Sequence, residues 1–197
     1  TPITLSIIIL NKNKKIKFFT NSLLNDKIEK HLGKNIDIFK LENFVQCLES
    51  LGKNGDKVIV DNQTCSYWIL QRLTNFGAKT LIKKNPCINL KACKNEIEII
   101  GMRNAHLRDA KSLIETLYWI KNYNYEKPLD EIEVCKKLFE SRKNNKNFIG
   151  LSFPTIVGSG PNGAIVHYKP SKFNSRKIKY GDLLLMDSGG QYFDGTT

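Results

Sequence analysis

The amino-acid sequence predicts a mixed α/β (α+β) chain, and three observations lead there. Short apolar runs alternate with helical-period segments through residues 1–94, two amphipathic helices open residues 95–197, and strand-like segments punctuated by Gly and Pro follow them. With 197 residues, the chain can hold one ordinary domain or two small ones and bury a core without disulfide help.

In order, "ITLSIIIL" at residues 3–10 is a strand candidate, "NKNKK" a polar turn and "IKFFT" a second strand, which together predict a hairpin. "LENFVQCLESLG" places Phe44, Val45, Leu48 and Leu51 at helical spacing, with Gly52 as its stop. "KVIVDN" predicts a buried strand in which Asp61 and Asn62 act as a helix-start device. The next helix begins near Ser66, and "AKTLIKKNP" closes the set. From Asn95 the character changes. Asn95 and Glu98 form a capping-box pattern, and Met102, Ala105, His106, Ala110, Leu113, Ile114, Leu117 and Lys121 follow a 3.6-residue period. His106 on this helix is expected to be a satisfied structural histidine. Pro128 suits the first turn of another helix, with Ile132, Cys135, Leu138 and Phe139 on one face. Pro161-Asn162-Gly163 predicts a tight turn before the strand-like "AIVHY", and "GDLLLMD" predicts a buried strand running into Asp187. Gly189 and Gly190 then permit a bulge or a close approach.

Composition excludes several classes. No apolar run nears the roughly 20 residues a membrane helix needs, and no charged segment and cleavage site frame residues 3–10 as a signal peptide. Five scattered cysteines without a C-x-x-C pair read as reduced thiols, which places the chain in the cytoplasm. Beginning on Thr1, the chain is expected to be a piece or a processed product. The net charge of +12 invites a nucleic-acid partner. Its lysines are spread through an Asn- and Ile-rich background, however, with no zinc-finger spacing or aromatic RNA-binding pattern, so neither nucleic acid nor membrane is the expected partner.

Three residues carry candidate chemistry. Asp187 ends an apolar run, where a lone buried carboxylate is costly unless compensated. A cation or a salt bridge to a downstream Arg would each serve, as would capping of a neighbouring loop. His167 has an imidazole suited to proton transfer near neutrality, or to a structural bond at a strand edge. On its residue type alone, Phe153 is a core position.

Three separated stretches occur in family order: the helix "IEIIGMRNAHLRDAKSLIETLYWI", then "FPTIVGSGPNGAIVHY", then "GDLLLMDSGGQYFDGTT". Together they resemble the pita-bread metallopeptidases, and within them the cytosolic three-domain Xaa-Pro aminopeptidases, strongly over 96–197 and more weakly over 1–95. The resemblance implies that residues 1–94 are the C-terminal part of a middle, creatinase-like mixed α/β domain. Residues 95–197 would then be the N-terminal half of a truncated pita-bread catalytic domain. It implies metal ligation by Asp187, substrate contact and proton shuttling by His167, and a substrate-pocket role for Phe153. A second aspartate would fall at position 198, and one His and two Glu ligands farther downstream; Asp194 would be a turn residue and not a ligand. The implied reaction removes an N-terminal residue from peptides with proline second, by attack of a hydroxide bridging two divalent ions, taken as Mn²⁺. A tertiary amide without an N–H lets a shaped pocket demand proline. Implied partners are Xaa-Pro peptides, a second copy in a homodimer, and the complementary C-terminal segment of the same enzyme, without which the fragment is inactive. The rival expectation is a catalytically dead pita-bread module that binds protein or RNA.

Overall fold

A computed structural model describes residues 4–197, so Ile3 of the first predicted strand lies outside the described residues. The chain divides between Cys93 and Lys94 into two compact units.

The first unit is a mixed layer. Strands β1 (Ser6–Leu10) and β2 (Ile16–Thr20) form the expected hairpin, with Ile8 opposite Phe18. A short helix, α1 (Asp26–Leu32), leads to β3 (Ile36–Phe39), which pairs parallel with β2. Helix α2 (Phe44–Lys53), strand β4 (Lys57–Val60), helix α3 (Tyr67–Asn75) and strand β5 (Lys79–Ile82) follow, β4 and β5 pairing parallel, and α4 (Cys87–Ala92) ends the unit. Parallel pairing requires crossovers, and the amphipathic α3 supplies one between β4 and β5. Its Ser66 cap accepts a bond from the Ile69 N–H, as the sequence predicts. The core gathers Phe19, Phe44, Leu48, Val60, Leu73 and Ala78, with Phe19 stacked on Phe39 at 5.3 Å.

Two expectations change here. Gly52 lies inside α2, buried against Phe76, where a Cβ would overlap that residue; past the end of the helix the backbone turns to positive φ at Gly55. Asp61 starts no helix. Its carboxylate accepts the Gln63 N–H (2.8 Å) and the Asn85 N–H (2.5 Å), tying two connections together, and the Asn85 bond chiefly holds its carboxyl below the usual carboxylate range.

The second unit opens with α5 (Glu96–Lys121) and α6 (Glu131–Lys143), each started by a capping box, Asn95 with Glu98 and Asp130 with Glu133. Pro128 precedes the α6 cap instead of lying in its first turn. Strands β6 (Phe148–Leu151), β7 (Ile156–Ser159), β8 (Leu184–Asp187), β9 (Gly190–Tyr192) and β10 (Gly195–Thr196) form a sheet ordered β10-β9-β6 and an antiparallel β7-β8 pair. The buried face of α5 is not the apolar stripe read from the sequence. It comprises Gly101, Ala105, Asp109, Ser112 and Thr116, whereas Ile114 is 65% exposed. Small residues win this face because the β9–β10 hairpin comes close to the helix: a Cβ on Gly101 would overlap the Asp194 carbonyl oxygen. We expect Gly101→Ala to cost about 2–3 kcal/mol, since backbone cannot yield as a side chain can. A denaturant midpoint unchanged by that substitution would contradict the contact.

"AIVHY" is not a strand. Residues Gly160–Ala164 form a 3-10 turn, and His167 follows in a turn at φ 54°. The connection is drawn away from β pairing by Asn162, whose side chain is bonded to Glu131 at the start of α6.

Candidate active site

Asp187 is the last residue of β8, opposite Ile156 of β7. It is exposed, so the predicted burial of a lone carboxylate does not occur: β8 alternates half-buried Leu184 and Met186 with exposed Leu185 and Asp187. Among the described residues its side chain enters no hydrogen bond or ion pair. An uncommitted oxygen donor on a rigid strand end fits a hard or borderline divalent ion. No three His, Cys, Asp or Glu residues gather among the described residues, so they do not assemble a whole metal centre by themselves.

Phe153 lies in the bend between β6 and β7, 37% exposed, and is not the core residue its type suggests. That bend runs beside the one following Asp187, since the Ser152 N–H donates to the Gly189 carbonyl (3.1 Å). His167 is exposed and belongs to the connection that leaves β7 at the end away from Asp187, where Ser159 pairs with Leu184. No hydrogen bond joins His167 to Asp187 or Phe153 among the described residues. Their neighbours do converge: Pro154 and Thr155 share a shallow depression of about 280 Å³ with Lys169 and Pro170. His106 is exposed on α5, its Nδ1 bonded to the Met102 carbonyl (2.9 Å), a local structural contact.

Beneath the Asp187 bend lies a polar network that the sequence reading missed. Arg142, fully buried, donates from Nε and Nη2 to the two carboxylate oxygens of Asp109 (2.8 Å each), and Nη2 also donates to Ser188 Oγ (3.0 Å). Tyr192 donates its hydroxyl to Asp109 Oδ1 (2.8 Å), and burial pushes that phenol up to about 12. Gly190 admits this crowding, because a Cβ there would sit 2.9 Å from Asp109 Oδ1. The residue after Asp187 is therefore fixed to two helices by a bidentate pair. The available signal was a charged residue on the buried face of each helix, Asp109 four residues beyond Ala105 and Arg142 four beyond Leu138. Asp194, in the turn between β9 and β10, pairs with Arg108, whose guanidinium holds its carboxyl below the usual range. All five cysteines are free, and burial pushes the Cys135 thiol up to about 11. No helix among the described residues is long and apolar enough to cross a membrane.

Known proteins are similar to this chain in sequence and fold. Residues 1–98 match the family model of the creatinase/prolidase N-terminal domain, and residues 100–197 match that of metallopeptidase family M24. Xaa-Pro aminopeptidase 1 of Dictyostelium discoideum is 38% identical over the whole chain, which spans 31% of that protein. The X-prolyl aminopeptidase of Caenorhabditis elegans, described as a cytosolic enzyme with a di-nuclear active site, superposes with a TM-score of 0.87 at 28% identity, over 100% of this chain and 33% of its own. The X-Pro aminopeptidase of Thermotoga maritima superposes at 0.70 with 19% identity, over 95% of this chain and 51% of its own, a likeness of fold. The chain thus spans about a third of the length of the curated relatives it matches. With both halves matched in order, residues 100–197 belong to metallopeptidase family M24 and follow a creatinase/prolidase N-terminal domain over residues 1–98.

Proposed function

We propose that the whole protein is a metal-dependent Xaa-Pro aminopeptidase that releases the first residue of peptides with proline second. The observation that carries this reading is Asp187, an exposed carboxylate without a protein partner among the described residues, held at a strand end within a chain related to such enzymes. Two divalent ions, Mn²⁺ by donor type, would polarise the scissile carbonyl and offset developing negative charge when bound. Asp187 holds one of them, with the other ligands supplied outside this chain by the complementary C-terminal segment. His167 donates to the substrate carbonyl or moves a proton there, and Phe153 lines the pocket for the first side chain. In this reading residues 1–94 end a middle domain, residues 95–197 begin the catalytic one, and the protein works as a cytoplasmic homodimer.

The test is hydrolysis of an Arg-Pro-Pro peptide by the full-length protein, as purified, after chelation, and after Mn²⁺ is restored. We expect arginine release that stops on chelation and returns with the metal. Absence of release in every condition would instead favour a metal-free binding module.

A further inference from the structure

The mechanism above leaves one buried ionisable group without a role. Glu131, the first residue of α6, is fully buried, and among the described residues no cation pairs with it. Its carboxylate is instead surrounded by neutral donors from the connection that carries His167. Oε1 accepts the Ser159 N–H (2.7 Å) and Asn162 Nδ2 (3.0 Å), while Oε2 accepts the Tyr168 hydroxyl (2.6 Å) and the Arg176 N–H (3.0 Å). These four contacts come from the start, middle and end of the segment 159–176, which has little regular structure of its own beyond a 3-10 turn. Tyr168 is itself buried and directly follows His167, whose backbone is held at φ 54°, a conformation that needs support from its surroundings. Burial, aided by the Glu131 contact, pushes the Tyr168 phenol up, so it remains a donor at neutral pH.

We propose that Glu131 is a positioning residue for His167: through Tyr168, Asn162 and the two backbone donors it fixes where the imidazole leaves the loop. The proposal rests on the reading of His167 as a substrate-contacting group. Its chemistry is specific to a carboxylate, since four donors converge on two acceptor oxygens. A Glu131→Gln side chain keeps the shape but turns one acceptor into a donor facing another donor.

The experiment is a double-mutant cycle on the full-length metal-loaded protein with the Arg-Pro-Pro peptide, using Glu131→Gln, His167→Ala and the pair. Bound metal is measured for each variant. Glu131→Gln should lower kcat by about a hundredfold, the size of effect expected when a reacting group is displaced by about an ångström, with KM and metal content nearly unchanged. In the His167→Ala background the same substitution should change kcat by less than about twofold, because its target is already gone. Tyr168→Phe, which removes one donor and keeps the packing, should show the same non-additivity in milder form, and it decides the matter if Glu131→Gln does not fold. An equal loss with and without His167 would overturn the positioning role alone. Unchanged kcat in His167→Ala would overturn the reading of His167 and the proposal with it.

Discussion

Replacing Asp109 by alanine should destabilise the protein by about 3–5 kcal/mol, a large share of the total stability of an ordinary domain. The cause is what the substitution leaves behind. Arg142 has no exposed surface and directs two of its nitrogens at Asp109, so it would remain buried with its charge uncompensated. Tyr192 would lose the acceptor for its hydroxyl in the same step. A double replacement, Asp109→Leu with Arg142→Met, removes both charges and should be less destabilising than Asp109→Ala alone, because the desolvation penalty disappears together with the attraction. Denaturant midpoints of the two variants settle the point. A double variant less stable than Asp109→Ala would show that the pair's own attraction dominates.

Asp187→Asn should do the reverse. Asp187 is exposed, and its side chain makes no hydrogen bond or ion pair among the described residues, so stability should change by no more than about 0.5 kcal/mol. Turnover of the full-length protein should nevertheless fall by more than about a hundredfold, since loss of an outer contact to a ligand already costs roughly 10–100-fold and, in the proposed role, a ligand itself is lost. An amide keeps the size of the carboxylate and one oxygen, but not its charge. Full activity in Asp187→Asn would dismiss this residue from the chemistry, and loss of both stability and activity would make it a structural group. The contrast with Asp109 is instructive because the two acids lie on either side of Ser188: one holds the bend from below, the other projects from it.

Much of the fold is legible in the sequence because local chemistry decides it. Both capping boxes, the Ser66 cap and the first hairpin rest on contacts a few residues apart, and they appear where the residue types put them. What was misread depends on distant partners. Gly52 looks like a stop until Phe76 is seen filling the space beside it, and α5 shows its apolar stripe outward because a hairpin nearly a hundred residues later needs small residues underneath. "AIVHY" has the composition of a strand, yet Glu131 captures Asn162 just before it and Tyr168 at its end and bends the chain into turns. The candidate site divides in the same way. Motif order nominates Asp187, His167 and Phe153 as candidates, whereas Glu131, Asp109 and Arg142 are written as ordinary helix residues. Their importance comes from burial, which no single segment reveals.

The most direct measurement is anomalous diffraction from crystals of the full-length protein grown with Mn²⁺. A manganese peak at about 2.0–2.5 Å from an Asp187 carboxylate oxygen, the range of hard cations with oxygen ligands, is the expected result. Manganese bound elsewhere with that oxygen facing only protein groups, or no manganese at all, would contradict the assignment.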